Sequence, residues 1–187
     1  MRIISGQFRG RRLQSLRGSM VRPTADHVRE ALFNILAGHV AEACVLDLFA
    51  GTGALGIEAL SRGARQAVFV ETGSRPLQVL RGNLQHCGLI DRSRVIRWDI
   101  SKNLNCLKIF HAYFNLVFMD PPYHKQLVER TLAHLLRIPC LAPRAMIVAE
   151  HERHAQIASP DACMVLADRR QYGQTELSFF HFNPIVA

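Results

Sequence analysis

The chain has 187 residues, 49% apolar and 20% charged, which suits one domain with its own core and is ordinary for a soluble globular protein. Lysine and arginine outnumber aspartate and glutamate by 23 to 15, a net charge of +8, and the surplus gathers in residues 1–30: Arg2, Arg9, Arg11, Arg12, Arg17, Arg22 and Arg29 stand there against Asp26 and Glu30. Five scattered cysteines without a C-x-x-C pair argue against a secreted disulfide framework, the opening residues do not read as a signal peptide, and no run approaches the roughly 20 apolar residues that span a bilayer. A cytoplasmic protein with no membrane partner is expected.

Residues 1–19 read as a short basic β-hairpin or arm, with turns at Gly6, Gly10 and Gly18. Arg22-Pro23-Thr24 then opens a helix with Thr24 as N-cap; Val28, Ala31, Leu32, Ile35 and Leu36 repeat at helical spacing, and Gly38 is the expected stop. From residue 44 strands and helices alternate. Strands are predicted at Cys44–Phe49, Gln66–Glu71, Arg94–Trp98, Asn115–Met119 and Ala145–Glu150. Helices are predicted from about Gly53 to Arg62, from a cap at Ser74 through Leu77, Leu80 and Leu84, and over roughly 125–137. Short apolar strands alternating with helices predict an α/β fold with a parallel sheet covered on both faces. Met164–Ala167 and Leu177–Phe182, divided by a turn at Tyr172-Gly173, lack a helix-length spacer and should pair as an antiparallel edge hairpin. One domain is predicted, with residues 1–22 as the arm and 23–187 as the core.

The segment Val45-Leu46-Asp47-Leu48-Phe49-Ala50-Gly51-Thr52-Gly53-Ala54-Leu55-Gly56 sets G-x-G-x-x-G between a strand and a helix. These glycines permit a tight turn, close approach of a ligand to the backbone, and close helix–strand packing. Asp47 is costly to bury unless a cation or hydrogen-bond donor meets it. The α-ammonium of S-adenosylmethionine is one such partner; the amides of the turn are another. Glu71, ending the second strand, can accept from both hydroxyls of a ribose, and Asp99 from an adenine amino group.

Asp120-Pro121-Pro122-Tyr123 follows the apolar fourth strand. An amine conjugated to an aromatic ring is a poor nucleophile because its lone pair is delocalised. Two acceptors, the Asp120 carboxylate and the Pro121 carbonyl, can draw it toward tetrahedral geometry and aim it at a sulfonium methyl. The prolines stiffen the loop and remove competing donors, and Tyr123 offers a stacking face for a base. Methyl transfer of this kind needs alignment and no metal. Of the nine histidines only His151 and His154 stand close together, and they are expected to be a surface pair.

Asp47-Leu48-Phe49-Ala50-Gly51-Thr52-Gly53 with Asp120-Pro121-Pro122-Tyr123 resembles the class I amino-methyltransferases. Ser5-Gly6, Arg9-Gly10-Arg11-Arg12-Leu13 and the run Arg22 to Asn34 are similar to the RsmD family, bacterial 16S ribosomal RNA guanine-N2 methyltransferases. The resemblance covers nearly the whole chain. It implies a Rossmann-like, seven-stranded, mostly parallel sheet with a C-terminal antiparallel hairpin, and S-adenosyl-L-methionine as cofactor. It implies transfer to N2 of a guanine in 16S rRNA, the guanine at position 966, within rRNA or an assembling small subunit. It also implies that Asp47, Phe49, Gly51, Thr52, Gly53, Glu71, Asp99, Arg22 and Thr24 bind cofactor, that Asp120 to Tyr123 form the catalytic loop, and that Arg9, Arg11 and Arg12 grip RNA. The expected state is a monomer. One departure is visible: Glu71 is followed by Thr72-Gly73-Ser74, where many relatives carry a second acidic or polar residue two places on.

Three rivals follow from the same residues. A nicotinamide-dependent oxidoreductase would use the glycine turn and Glu71 but has no use for Asp120–Tyr123. A non-catalytic RNA-binding assembly protein would use the arm and leave the acceptor loop idle. Within the enzyme class, adenine N6, cytosine N4 or a glutamine amide are other amines that such a loop can hold, and fold does not choose among them.

Overall fold

In the computed structural model, which describes residues 1–16, 26–111, 113–122, 127–153, 155 and 157–184, seven strands share one sheet. They are β1 (Cys44–Leu48), β2 (Gln66–Glu71), β3 (Ser93–Arg97), β4 (Phe114–Met119), β5 (Leu141–Glu152), β6 (Met164–Tyr172) and β7 (Thr175–Phe182). Their order is β3-β2-β1-β4-β5-β7-β6. The first five run parallel, and β7 lies antiparallel between β5 and β6. The chain steps outward from β1 to β3, then returns to place β4 on the other side of β1, so the sheet's switch point lies between β1 and β4.

Alternation along the strands divides the core in two. Val45, Phe69, Phe118 and Val148 pack with α1 (Asp26–Ile35), α3 (Ala54–Ser61) and α4 (Ser74–Cys87); Leu46, Leu48, Val70, Val117 and Ile147 pack with α5 (Leu127–Leu136). β1 is buried at every position, as a central strand covered on both faces must be.

Several local expectations are corrected. The first helix ends at Ile35, and Gly38 lies inside a second short helix, α2 (Ala37–Val40), so the break falls at Leu36 and not at the glycine. Ser74 is the first residue of α4, with Gly73 at the cap position and no side-chain cap bond. β3 is displaced by one residue, to Ser93–Arg97. β5 starts earlier than Ala145, because Leu141 pairs with Phe114 before a register shift past Arg144, whose φ is 61°. β6 runs on to Tyr172 through polar residues, since an edge strand buries only one face. The Arg22–Thr24 helix opening lies outside the described residues.

The N-terminal residues double back but do not project. Ile3 N–H donates to the Arg11 carbonyl (2.9 Å) and Leu13 N–H to that of Met1 (3.0 Å), with Arg2 and Arg12 as a single antiparallel bridge. Ile3 and Leu13 are buried, so this segment is part of the core's edge.

Candidate active site

The turn after β1 departs from ordinary backbone at three positions. Phe49, Gly51 and Gly53 have φ of 59°, 55° and 86°. For phenylalanine this left-handed conformation is uncommon, and such outliers persist where surrounding structure imposes them. A Cβ on Gly53 would stand 2.4 Å from Leu80 Cδ1, and one on Gly56 2.3 Å from Phe69 Cε1, so these two glycines serve close packing. Gly51 differs. Its added Cβ would meet only the Phe49 carbonyl at 3.9 Å, which leaves the backbone there open to a ligand.

Three carboxylates surround the turn. Asp47 is 2% exposed, and its Oδ2 accepts from the Gly56 N–H at 2.9 Å. Burial foremost, with Glu71 nearby, pushes its carboxyl up to about 8 against the opposing effect of the Gly56 N–H bond. The amide-capping role for Asp47 is therefore present. Glu71 Oε2 accepts from Gly51 N–H (2.9 Å) and Oε1 from Thr72 and Gly73 N–H (2.8 and 2.7 Å), which joins the end of β2 to the turn. Asp99 Oδ1 accepts from the Ser101 hydroxyl (2.6 Å) and backbone N–H (3.1 Å), and the hydroxyl bond foremost holds its carboxyl below the usual range.

Beside Glu71 opens a cleft of about 340 Å³ lined by Thr72, Arg97, Trp98, Asp99, Lys102 and Asn103. That volume falls in the range of roughly 300–1,000 Å³ typical of small-ligand pockets. Trp98 was not singled out from sequence. It is held by its backbone N–H on the Glu71 carbonyl (3.1 Å) and its indole N–H on the Asn103 carbonyl (3.0 Å). A lone tryptophan after a strand reads as core, and only the cleft marks it.

Asp120 sits across the switch point. Met119 pairs with Leu48, and the Asp120 N–H donates to the Leu48 carbonyl at 3.5 Å, so the acidic–proline loop leaves the sheet beside the residue that starts the glycine turn. Pro121 is buried and Pro122 exposed. Tyr123, Arg22 and Thr24 lie outside the described residues. The remaining predicted positions, Asp47, Phe49, Gly51, Thr52, Gly53, Glu71, Asp99 and Asp120, thus lie at or just past the carboxyl ends of β1, β2, β3 and β4.

The arginines of the N-terminal segment are not equivalent. All three are exposed, but Arg11 Nη1 also donates to the His86 carbonyl (3.2 Å) and its guanidinium lies 4.9 Å from the Phe8 ring centroid. His151 is not a surface residue: it is 3% exposed, with Nε2 against Ser178 Oγ at 2.8 Å and Nδ1 against the Glu152 carbonyl at 2.9 Å. Its partner in sequence, His154, lies outside the described residues. Among the described residues no group of three or more His, Cys, Asp or Glu side chains is placed to hold a metal ion, and no helix is long and apolar enough to cross a membrane.

A seven-stranded sheet of this order, a glycine turn at its switch point and an antiparallel β7 define a class I methyltransferase fold. An RNA methyltransferase of Salinibacter ruber, solved in complex with S-adenosyl-L-homocysteine, shares that fold at a TM-score of 0.65 and 15% identity over 89% of this chain and 97% of its own. Residues 1–181 match the family model described as Conserved hypothetical protein 95, and the chain belongs to this family, the RsmD family. It is 36% identical to the ribosomal RNA small subunit methyltransferase D of Haemophilus influenzae, over 90% of this chain and 88% of that one. Escherichia coli yhhF superposes on it at a TM-score of 0.86 and 37% identity, covering 98% of both chains.

Proposed function

We propose that this protein transfers a methyl group from S-adenosyl-L-methionine to the exocyclic N2 of a guanine in small-subunit ribosomal RNA. The observation that carries the reading is the Asp120 backbone bond to Leu48, which brings an acidic–proline loop and an open glycine backbone to one rim of the sheet. The surrounding residues fit the cofactor: Gly51 leaves room over its backbone, Glu71 stands at that turn as a ribose acceptor, and among the described residues no cation meets Asp47, a place that an α-ammonium would fill. Asp99 and Trp98 edge a cleft suited to a purine.

Bound there, the sulfonium supplies an electrophilic methyl group. The protein's part is to hold the amine. Asp120 and the Pro121 carbonyl accept its two hydrogens, localise the lone pair on nitrogen and exclude water, so that alignment supplies most of the acceleration. Exposed Arg9 and Arg12 suit phosphate, and the base must be unpaired or flipped to reach the loop, at a cost of about a few kcal/mol. We infer a monomer acting in the cytoplasm on rRNA or an assembling small subunit.

The test is incubation with radiolabelled S-adenosylmethionine and deproteinised rRNA, small subunits or DNA, followed by identification of the modified nucleoside. N2-methylguanosine in small-subunit rRNA is the expected product. N6-methyladenosine, N4-methylcytidine or a methylated glutamine would keep the class and overturn the substrate; no transfer, with thermal stabilisation by NAD and none by S-adenosylhomocysteine, would overturn the class. Asp120→Ala should lower turnover at least a hundredfold, the scale of losing an oriented polar group in a reaction site, while S-adenosylhomocysteine binds within about twofold of wild type.

A further inference from the structure

Asn83 lies on α4, is 1% exposed and does not line the cleft. Its side-chain amide nevertheless meets two separate parts of the machinery. Oδ1 accepts from the Gln14 N–H at 2.8 Å, and Nδ2 donates to the Gln14 carbonyl at 3.1 Å and to the Thr52 carbonyl at 3.0 Å. The Gln14 contact imitates a strand pairing and pins the N-terminal segment just after Leu13. Thr52 stands between Gly51 and Gly53, both at positive φ, where the backbone has the widest freedom to rotate. One buried amide therefore ties the Thr52 carbonyl of the cofactor turn, whose next N–H already donates to the Ala50 carbonyl (2.8 Å), to the root of the segment that carries Arg9 and Arg12.

We propose that Asn83 is a positioning residue that couples the RNA-gripping N-terminal segment to the cofactor turn, so that RNA and cofactor strengthen each other's binding. The inference rests on the methyltransferase reading above. Its physical basis is a shared hydrogen-bond set: the arrangement of the Gln14 peptide that RNA favours is passed by Asn83 to the Thr52 carbonyl, so the two ligands select one arrangement of segment and turn. By linkage the cofactor must tighten RNA binding by the same factor. The hydrogen bonds show which substitutions separate the two halves. Asn83→Asp keeps an acceptor for Gln14 N–H but has no donor for either carbonyl. Gln14→Pro removes the N–H that Oδ1 accepts and leaves the Thr52 bond in place.

Equilibrium dialysis of tritiated S-adenosylhomocysteine, with and without whichever RNA preparation accepts methyl groups, measures the coupling at fixed salt. In wild type the RNA should tighten binding about tenfold, inside the usual range of roughly 5- to 150-fold. Asn83→Asp should bind the ligand more weakly alone and lose the RNA effect to below twofold. Gln14→Pro should keep wild-type affinity in the absence of RNA and also lose the effect. Phe180→Leu, a core change at the far end of the sheet, controls for lost stability and should retain it. A wild-type protein whose ligand affinity ignores RNA would overturn the proposal, as would a tenfold effect surviving in Asn83→Asp and Gln14→Pro, or vanishing equally in Phe180→Leu. Failure of wild type to bind S-adenosylhomocysteine at all would instead strike the methyltransferase reading.

Discussion

Two carboxylates, Glu58 on α3 and Asp47 beneath it, are about equally buried and supplied very differently. Glu58, on the helix's N-terminal-segment side, is 1% exposed and accepts from Ile4 N–H (2.8 Å), Ser5 N–H (3.0 Å) and Arg62 Nε (2.7 Å), with Arg29 Nε at 3.9 Å. Asp47, under the other side of the helix, is 2% exposed and receives the Gly56 N–H. A buried charge ringed by donors has its partners already and holds structure together. A buried carboxyl with a single donor among the described residues is pushed up to about 8 by its burial, and a cation that arrives with a ligand would favour its charged form. The contrast separates a side of α3 whose carboxylate already has its partners from one that, under the proposed function, meets the cofactor.

The largest effect should follow from disturbing the saturated site. In Glu58→Gln the amide cannot serve two backbone N–H groups and a guanidinium, and the buried Arg29 loses its nearest full charge apart from Asp26. Breaking a buried pair from one side costs about 3–5 kcal/mol, which for a chain of this size lowers Tm by about 10 °C. Hydrogen exchange at Ile4 and Ser5 should accelerate first. A Glu58→Gln protein with wild-type Tm would show that the donors around Glu58 contribute nothing and that the comparison is empty.

Asp47→Asn should do the reverse. The asparagine oxygen still accepts from Gly56 N–H, and the cost of confining a carboxyl without company is gone, so the ligand-free Tm should hold or rise by a few degrees. Affinity for S-adenosylhomocysteine should fall about 10- to 100-fold, the value of a charge-assisted hydrogen bond of about 1.5–3 kcal/mol. Loss of stability together with unchanged affinity would reverse the roles of the two carboxylates.

The same residue predicts a pH signature. In the unfolded chain Asp47 loses its proton near the ordinary aspartate value of 3.8, and in the native protein it retains it to about 8, so between these values raising the pH costs native stability. The slope of Tm against pH over that window should be shallower in Asp47→Asn. Below pH 8 an ammonium ligand must expel this proton to make its ion pair. Calorimetry at pH 7 in buffers of different ionisation enthalpy should therefore detect up to about one proton released per ligand, and none in the asparagine variant. Equal proton release in both would locate the titrating group elsewhere.

The two sides of α3 also differ in how far the sequence exposes them. Asp47, Gly51, Gly53, Gly56 and Glu71 are legible because a positive φ or a close helix–strand approach admits few residues, and the strand–turn–helix order fixes where they fall. Glu58 sits mid-helix in Leu55-Gly56-Ile57-Glu58-Ala59-Leu60, where a glutamate reads as a solvated helix former. Its burial depends on Ile4 and Ser5, more than fifty positions away in the chain. Asn83 and Trp98 are hidden for the same reason: their roles come from the partners that tertiary packing brings to them. Gly38 misled in the opposite direction, since helix α2 tolerates a glycine at an exposed position at a cost of about 1 kcal/mol.

The smallest effects belong to the arginines that the stapled N-terminal segment presents. With the segment held by Glu58, Arg9 and Arg12 are exposed on a preformed support, while Arg11 is spent on the His86 carbonyl and the Phe8 ring. Arg9→Ala and Arg12→Ala should each weaken RNA binding modestly and reduce the slope of log K against log salt by about one, the signature of a lost phosphate contact. Arg11→Ala should leave the salt slope nearly unchanged and lower Tm by about a degree or two, because what it gives up is an internal contact on the exposed rim. If all three variants reduce the slope equally, Arg11 releases His86 on binding RNA, and the segment rearranges where the donors around Glu58 would otherwise hold it still.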